Sequence, residues 1–222
     1  MSRSTLKTTA INAEIRKAQA AAATPPVAAG KKGAPKDKAV AAAAPKGAGE
    51  IRIIGGQWKR TRLPVAQRPG LRPTPDRVRE TLFNWLGQDL TGWRCLDAFA
   101  GTGALGLEAA SRGAAAVQLV ESDAALVAQL HTLQQRLSAT AVRVQRGDGI
   151  TALKQAAPAS IDLVLLDPPF DSDLFVAALQ AASKAVAAQG FVYLEAPRAW
   201  TDEELAGSGL AVYRHLKAGA VH

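Results

Sequence analysis

Apolar and polar positions follow a strand-then-helix alternation along the chain from residue 93 onward. Short apolar runs typical of buried strands lie at 93–98, 116–121, 141–145, 161–166, 190–195 and 210–216. Apolar residues at helical spacing between them predict helices over about 103–112, 123–137, 149–156, 173–187 and 201–206. Such alternation is typical of a parallel sheet covered by helices on both faces. The expected fold class is therefore α/β, a doubly wound, Rossmann-like sheet that binds ligands outside the carboxyl ends of its strands.

A shorter stretch ahead of this alternation, IRIIGGQWKRTRL at residues 51–63, predicts a β-hairpin around its Gly-Gly pair. On its second strand Trp58, Arg60 and Arg62 would share one face, because side chains alternate along a strand. An aromatic ring beside arginines suits nucleic acid through base stacking and phosphate contact. The same pattern also fits a Trp that covers the domain core while the arginines stay in solvent, so both interpretations remain open.

The next segment, RPGLRPTPDR, predicts a basic loop that runs into a helix. Thr74 suits the N-cap position and Pro75 suits the first helical position. Apolar residues at helical spacing then predict an amphipathic helix over residues 75–87. We therefore expect a hairpin and basic loop over residues 50–73 and a Rossmann-like core over residues 74–222.

The first 49 residues differ in composition from the rest of the chain. They are rich in Ala, Lys, Pro and Gly and contain no aromatic residue. A segment of this composition buries too little apolar surface to offset its ordering entropy. We therefore expect a disordered basic tail over residues 1–49 and a single folded domain over residues 50–222.

The formal charge of +8 is concentrated near the start of the chain. Residues 1–49 contain nine Lys or Arg and two Asp or Glu, and residues 50–80 contain eight and three. Residues 81–222 contain ten and fourteen, so the larger part of the chain is mildly acidic. A basic segment beside an acidic body indicates a polyanionic partner, although a solubilising tail explains residues 1–49 equally well.

Several classes of protein are excluded by composition. No run of about 18 apolar residues is present, so neither a transmembrane helix nor a membrane partner is expected. Cys95 is the only cysteine, which excludes a disulfide framework and a cysteine-based zinc site. Its place in an apolar strand indicates a core residue rather than a nucleophile. We expect a cytoplasmic monomer that holds no metal.

The first strand of the alternating region ends at Asp97 and leads into the loop GTGALG. Glycines there let the backbone approach a ligand and let the next helix start close by. Their spacing matches a dinucleotide-binding loop, which is a weak signal alone. A pyrophosphate would be repelled by Asp97, whereas a ligand with an ammonium group would be attracted to it. S-adenosylmethionine has an ammonium group, a carboxylate that suits a helix N-terminus, and no phosphate.

The next two strands also end in acids. Glu121 lies twenty residues after Gly101, where a carboxylate can accept hydrogen bonds from both ribose hydroxyls. Asp148 ends the third strand, where a carboxylate can accept from the adenine amino group. Three acids at successive strand ends predict S-adenosylmethionine as the cofactor. The predicted cofactor-binding residues are Asp97, Phe99, Gly101, Gly103, Glu121, Asp148 and Gly149.

The fourth strand ends in Asp167, Pro168, Pro169 and Phe170, which form the predicted catalytic set. Neither proline can donate to a sheet ladder, so the strand stops and the chain leaves as a stiff turn. An exocyclic amine is a poor nucleophile because its lone pair is delocalised into the base. Hydrogen bonds from its N–H groups to Asp167 and to the Pro168 carbonyl would turn that lone pair toward a methyl donor. Phe170 offers a stacking face, and the base must be unpaired or flipped out to reach it.

With these residues assembled, the sequence resembles the class I, S-adenosylmethionine-dependent methyltransferases. LDAFAGTGALGLE is similar to their first motif, and DPPF is similar to the motif of their amine-methylating members. More narrowly, four blocks resemble, in order, the bacterial 16S ribosomal RNA guanine-N2 methyltransferases of the RsmD family. These blocks are RIIGGQWKRTRL, LRPTPDRVRETLFNWL, LDAFAGTGALGLEAASRGA and LDPPF, and the resemblance covers about residues 50–219.

The resemblance implies a mostly parallel sheet of seven strands, the last antiparallel, and methyl transfer to a guanine N2 in assembled or partly assembled small ribosomal subunits. The residues expected at the RNA are Trp58, Lys59, Arg60, Arg62, Arg72, Arg77 and Arg79. Arg77 and Arg79 point about 200° apart on a helix, so they cannot both face one ligand. The family has a final hairpin and strand, whereas this sequence stops at His222. A short or missing last strand, a less protected edge and a lower stability are therefore expected.

Three alternatives compete with this assignment. An adenine-N6 methyltransferase would use the same acid-Pro-Pro-aromatic turn, although the block before residue 87 and the lack of a separate target-recognition domain argue against it. A nucleotide-dependent oxidoreductase would use the glycine loop, but Asp97 opposes phosphate. A non-catalytic RNA-binding or assembly factor on a methyltransferase scaffold would not need the intact Asp167 and glycine loop.

Overall fold

The regular elements of the protein follow the predicted alternation. The computed structural model describes residues 49–65, 71, 73–170 and 173–222. The strands are β1 (Gly49–Arg52), β2 (Arg62–Val65), β3 (Arg94–Asp97), β4 (Ala116–Glu121), β5 (Val142–Arg146), β6 (Ile161–Leu166) and β7 (Val186–Leu194). The helices are α1 (Asp76–Trp85), α2 (Ala104–Ser111), α3 (Ala124–Arg136), α4 (Gly149–Gln155), α5 (Leu174–Ala185) and α6 (Asp202–Ala206).

Two predictions fall on residues that are not described. The disordered tail predicted for residues 1–49 lies, apart from Gly49, outside the described residues. Arg72 of the basic loop also lies outside them. Both stay predictions. Within the described ranges, no helix is long and apolar enough to cross a membrane.

The main sheet has the strand order β5-β4-β3-β6-β7, and all its neighbouring strands run parallel. The chain goes from β3 to β4 on one side and later returns to β6 on the other side. The strand order therefore reverses between β3 and β6, and parallel sheets bind ligands at the carboxyl ends beside such a reversal. Leu163, Val164, Leu165 and Leu166 of β6 are fully buried, as expected for a central parallel strand covered on both faces.

A hydrophobic cluster covers each face of this sheet. On one face, apolar side chains of α1, α2 and α3 pack with β1 and β2 of the hairpin, as shown by Phe83, Leu107, Leu130, Ile51 and Leu63. On the other face, α4, α5 and α6 pack against β3, β4 and β6. The hairpin is thus part of the core on the first face, because its apolar residues need that cover to leave water.

The turn of the hairpin is longer than predicted. Trp58 and Arg60 lie in the turn between β1 and β2 rather than on the second strand, and Arg60 has a φ of 69°. The predicted strand face shared by Trp58, Arg60 and Arg62 is therefore wrong. Trp58 is half-buried against the first cluster, and its N–H donates to Ser111 Oγ at 3.0 Å. The structure thus shows the core-covering arrangement that the sequence left open.

The strand predicted over 210–216 does not form, and in the described part of the chain the main sheet has five strands rather than the seven implied by the resemblance. The backbone bonds beside the end of β7 go instead to His222, which exchanges two hydrogen bonds with Ala196 at 2.8 and 3.0 Å. Tyr213 lies against Phe191 of β7 with its ring centroid 5.4 Å away. The segment therefore packs on β7 by side-chain contact and does not pair with it.

Candidate active site

Three carboxylates point to the same face of the sheet at its carboxyl edge. Asp97 ends β3 and pairs in register with Leu165 of β6, and Asp167 follows two residues later on that strand. Leu166 pairs with Leu194, so Asp167 and Glu195 leave β6 and β7 side by side. Because side chains alternate along a strand, Asp97, Asp167 and Glu195 share one face. The site is built at the reversal of strand order.

The glycine-rich loop after β3 is held by backbone packing. Gly101 and Gly103 have φ values of 51° and 80°, which residues with a Cβ rarely adopt. A Cβ on Gly106 would lie 2.1 Å from Leu119 Cδ2, so α2 packs against β4 only with a glycine there. Gly106 N–H donates to Asp97 Oδ2 at 3.0 Å, which fixes this carboxylate under the loop.

The acids of the next two strands join neighbouring backbone segments. Glu121 accepts from Gly101 N–H at 2.9 Å and from Asp123 N–H at 2.8 Å. Asp148 is exposed and caps α4 by accepting from Thr151 N–H at 2.7 Å. A Cβ on Gly149 would lie 2.0 Å from the Ala98 carbonyl oxygen. The β5–α4 turn therefore lies directly against the β3 strand end, and the strand-end acids lie along one edge.

A cleft opens between the glycine loop and the segment ahead of α1. It is lined by Leu71, Pro73 and Thr74 on one side and by Phe99, Ala100, Gly101, Thr102, Ala104 and Leu105 on the other, with Asp97 and Asp167 at its base. A Cβ on Gly101 would lie 3.3 Å from Leu71 Cδ1, so the two walls approach closely. The cleft therefore brings the first predicted cofactor ligand and the first predicted catalytic residue together.

The carboxylates of the cleft resist ionisation. Burial, together with the negative charges of Glu195 and Asp97, raises the pKa of Asp167 to about 8. Burial also raises the pKa of Asp97 to about 7, against the lowering effect of the backbone N–H groups of Gly106 and Phe99. Burial likewise raises the pKa of Glu195. Among the described residues, the charges that shift Asp97 and Asp167 are all negative, so the cleft favours a cation or an N–H donor.

This electrostatic arrangement tests which cofactor fits. S-adenosylmethionine carries an ammonium and a sulfonium group, and either would relieve the repulsion among Asp97, Asp167 and Glu195. A dinucleotide would place pyrophosphate charge beside the same buried carboxylates, at a cost that grows as water is excluded. The residues present therefore fit S-adenosylmethionine and disfavour the oxidoreductase alternative.

The turn after β6 holds the predicted catalytic residues at the edge of the sheet. Pro168 is buried and Pro169 is exposed, so the chain turns outward directly after Asp167. Phe170 is 40% exposed, so its ring is accessible from solvent. Among the described residues, no hydrogen bond reaches the Asp167 carboxylate. The turn thus places a carboxylate acceptor and an accessible aromatic ring three residues apart.

The predicted RNA-contacting residues differ in exposure. Lys59 and Arg60 are exposed in the hairpin turn, and Arg77 is exposed in the first turn of α1. Arg62 is exposed on β2 and forms an ion pair with Glu50 at 3.1 Å. Their contact with RNA stays a prediction.

The prediction that Arg79 contacts RNA is wrong. Arg79 is 1% exposed and donates to the Thr74 and Arg52 carbonyl oxygens, each at 3.0 Å. It also forms ion pairs with Glu108 at 3.0 Å and Asp76 at 2.6 Å. The physical reason is its place on the buried face of α1, opposite Arg77. Arg79 therefore joins the hairpin, α1 and α2, and its burial keeps it from an RNA surface.

Sequence reasoning missed Glu195 and the role of Thr74. Thr74 Oγ1 donates to Glu195 Oε1 at 2.7 Å across 121 residues of sequence. Thr74 was predicted only as a helix N-cap, yet no side-chain cap bond forms at the start of α1. One signal was available: Glu195 follows its apolar strand as Asp97 and Asp167 end theirs. It is one more acid at a strand end.

A doubly wound parallel sheet with acids after successive strands and an Asp-Pro-Pro-Phe turn defines the class I methyltransferase fold. The chain belongs to the family described as Conserved hypothetical protein 95, whose family model matches residues 51–222, and the resemblance to the RsmD family is confirmed. Curated relatives and a solved structure support the assignment to this family.

Two curated relatives carry the same name. The Escherichia coli (strain K12) protein named Ribosomal RNA small subunit methyltransferase D is 52% identical over 124 residues, 56% of this chain and 62% of that protein. The Haemophilus influenzae protein of the same name is 38% identical over 183 residues, 77% of this chain and 95% of that protein. The match thus spans less than two thirds of the first relative and nearly all of the second. The solved structure of the Escherichia coli protein yhhF is 40% identical, with a TM-score of 0.65, and covers 78% of this chain and 94% of that chain.

Proposed function

We propose that this chain transfers a methyl group from S-adenosylmethionine to the exocyclic N2 amine of a guanine in 16S ribosomal RNA of the small subunit. The observation that carries the proposal is the Asp167 carboxylate, which lines the cleft beside Asp97, accepts no hydrogen bond from the described residues, and comes three residues before the exposed ring of Phe170. The names of the curated relatives support the RNA target. The site residues predicted from the sequence take the following roles in this proposal.

The cofactor would lie along the carboxyl edge of β3, β4 and β5. Asp97 would attract its ammonium group, and Gly101 and Gly103 would let the loop and the start of α2 approach its carboxylate. Glu121 would accept from the ribose hydroxyls and Asp148 from the adenine amine. Phe99 would line the cleft and Gly149 would keep the β5–α4 turn close. When bound, the cofactor supplies an electrophilic methyl group.

The turn after β6 would prepare the amine. Asp167 would accept one N–H of the amine and the Pro168 carbonyl would accept the other, which turns the nitrogen lone pair toward the methyl group. Pro168 and Pro169 fix the direction of these acceptors. Phe170 would stack on the flipped-out base. Transfer would form the N2–CH₃ bond as the S–CH₃ bond breaks, leaving S-adenosylhomocysteine, and Asp167 would be placed to take the proton that N2 loses. This positioning needs no covalent intermediate and can lower a barrier by roughly 7–11 kcal/mol.

The experiment that tests this function is methyl transfer to small subunits from a strain lacking the enzyme, with nucleoside mass spectrometry of the product. N2-methylguanosine, once per subunit, is the expected product. N6-methyladenosine would support the adenine-N6 alternative, for which the turn after β6 is equally suitable. No product despite cofactor binding would contradict both functions. We propose that the protein acts in the cytoplasm, because its proposed target is the small subunit or an assembly intermediate. We also propose that it acts as a monomer.

Cofactor binding is predicted to release protons. At about pH 6.5 the carboxyls of Asp97 and Asp167 are largely protonated, because their pKa values are raised to about 7 and about 8. A bound cation lowers both pKa values, so protons leave on binding. Calorimetry in two buffers of different ionisation enthalpy measures this release. Asp167→Asn should release fewer protons, and identical heats in both buffers for the unmodified protein would contradict the prediction.

The N-terminal tail is predicted to contribute to RNA affinity by charge alone. Deleting residues 1–49 removes nine Lys or Arg and two Asp or Glu. We expect weaker RNA binding at low salt, a smaller difference at physiological salt, and unchanged cofactor binding, because exposed charges are screened. Fluorescence titration of labelled RNA across a salt series measures this. Equal affinity of both proteins at low salt would reject the prediction.

A further inference from the structure

One buried carboxylate of the site has no part in the transfer described above. Glu195 follows β7 and is 6% exposed. Its Oε1 accepts from the hydroxyls of Thr74 at 2.7 Å and Tyr193 at 3.1 Å. Its own N–H donates to the Leu166 carbonyl oxygen at 2.9 Å, which fixes its backbone beside the strand that ends at Asp167. Burying a carboxylate costs free energy unless hydrogen bonds or charges compensate it. The hydrogen bonds of Glu195 therefore indicate a structural or functional role.

The position of Glu195 places it next to Asp167. Their preceding residues, Leu166 and Leu194, are register partners on parallel strands. Aligned side chains on one face of neighbouring strands lie ~5 Å apart. Two ionised carboxylates in that arrangement repel each other. The other groups facing Asp167 in the described part of the chain are Asp97 from β3 and the neutral Tyr193 hydroxyl from β7.

The hydrogen bond to Thr74 places Glu195 behind the cleft wall. Thr74 is 5% exposed and lines the cleft together with Leu71 and Pro73. The Thr74 carbonyl oxygen accepts from Arg79 Nε at 3.0 Å, so the turn is held at both its main chain and its side chain. Among the described residues, the bond to Glu195 is the hydrogen bond by which Thr74 attaches this wall to the end of β7.

We propose, on the basis of the methyl transfer proposed above, that Glu195 is a positioning residue: it holds the Thr74 turn against the cleft and places a second negative charge beside Asp167. The first effect shapes the cofactor cleft. The second makes Asp167 harder to ionise in the free protein, because two neighbouring negative charges repel each other. The cofactor cation or an amine N–H then stabilises the ionised Asp167 carboxylate more than it would without Glu195. The two effects are separable by substitution.

Glu195→Gln tests the charge. The glutamine keeps an Oε1 that accepts from Thr74, but it removes the negative charge beside Asp167. The acid limb of the pH profile of kcat/KM should move to lower pH by on the order of one unit, because Asp167 then ionises more easily. The KM for S-adenosylmethionine should change less than about threefold, because the cleft wall stays in place.

Thr74→Val tests the attachment of the wall. It removes the hydrogen bond and keeps the charge, so the KM for S-adenosylmethionine should rise severalfold while the acid limb stays in place. Thr74→Ser should restore the KM. Tyr193→Phe is the matched control: it also removes one hydrogen bond to Glu195 but leaves the wall attached, so the KM should not rise.

The outcomes separate this proposal from the function on which it rests. Product with an unmoved acid limb in Glu195→Gln overturns the charge role, and an unchanged KM in Thr74→Val overturns the attachment. Absence of product from the unmodified protein contradicts the proposed function instead.

Carbon NMR of labelled aspartate in the free protein tests the charge role without turnover. It applies if the unmodified protein gives no product or if Glu195→Gln turns over too slowly for a pH profile. A lower Asp167 pKa in Glu195→Gln supports the charge role, and an equal pKa overturns it. If Glu195→Gln does not fold, Glu195→Asp, which keeps the charge but is too short to reach Thr74, should raise the KM as Thr74→Val does.

Discussion

Asp167→Asn is expected to reduce methyl transfer by ~10²-fold or more, the size typical of losing one preorganised hydrogen-bonding group in a dry site. The carboxylate would accept an N–H of the amine with either charged oxygen, whereas asparagine keeps only one uncharged Oδ1 acceptor and adds an NH₂ group that opposes the amine N–H groups. Cofactor binding should persist, because Asp97 and the glycine loop remain. Initial rates with small subunits and calorimetry with S-adenosylmethionine measure the two effects separately.

The same substitution is expected to stabilise the free protein. Burial and two nearby carboxylates raise the pKa of Asp167 to about 8. An acid whose folded pKa exceeds its unfolded value loses stability as pH rises between the two values, because the folded state binds more protons there. Each unit of raised pKa corresponds to about 1.4 kcal/mol. The gain from Asp167→Asn should therefore be larger near pH 8.5 than near pH 5, as thermal melts at both values would show.

Asp162→Asn is a matched control on the same strand. Asp162 lies near the opposite end of β6 and forms an ion pair with Arg94 at 3.2 Å, far from the cleft in register. It should leave methyl transfer unchanged and should not raise the melting temperature. Undiminished turnover in Asp167→Asn would refute the role given to Asp167, whereas equal loss in both variants would show a general effect on β6.

The strand-end chemistry could be predicted because it depends on local sequence. An acid at the end of a predicted strand indicates both where the strand stops and which side chain stands there. Asp97, Glu121, Asp148 and Asp167 were found in this way, and the structure lines them along one edge. Parallel pairing does the rest, because the carboxyl ends of parallel strands meet at one edge.

What could not be predicted depends on contacts distant in sequence. Arg77 and Arg79 have the same chemistry, and only the packing of α1 decides that Arg79 is 1% exposed. Glu195 is joined to Thr74 by a contact across 121 residues. The alternation over 210–216 is adequate for a strand, yet His222 takes the backbone bonds beside the end of β7. The hydrophobic pattern of a segment indicates which secondary structure it favours. Which structure it adopts also depends on the distant segments that compete for its hydrogen bonds and packing contacts.

Arg79→Met is expected to destabilise the fold by ~3–5 kcal/mol, because it removes one of the two cations paired with buried Glu108 and leaves several buried acceptors without a donor. Glu108 is completely buried and accepts from Arg79, from Arg112, and from the backbone N–H groups of Ile54 and Gly55. These bonds tie the hairpin to α1 and α2. Losing Arg79 leaves Glu108 paired with Arg112 alone and leaves the Thr74 and Arg52 carbonyl oxygens without this donor. Urea unfolding followed by circular dichroism measures the free energy of unfolding.

Arg77→Met supplies the matched control, because it makes the same chemical change two residues away on the exposed face of α1. Its stability should stay within ~0.5 kcal/mol of the unmodified protein. If Arg77 contacts RNA, this variant should bind small subunits more weakly at low salt while keeping its stability. The reverse pattern, a stable Arg79→Met and an unstable Arg77→Met, would mean that α1 does not bury Arg79 in solution. Near-equal stability of both variants would show that the ion pair contributes no more than a surface contact.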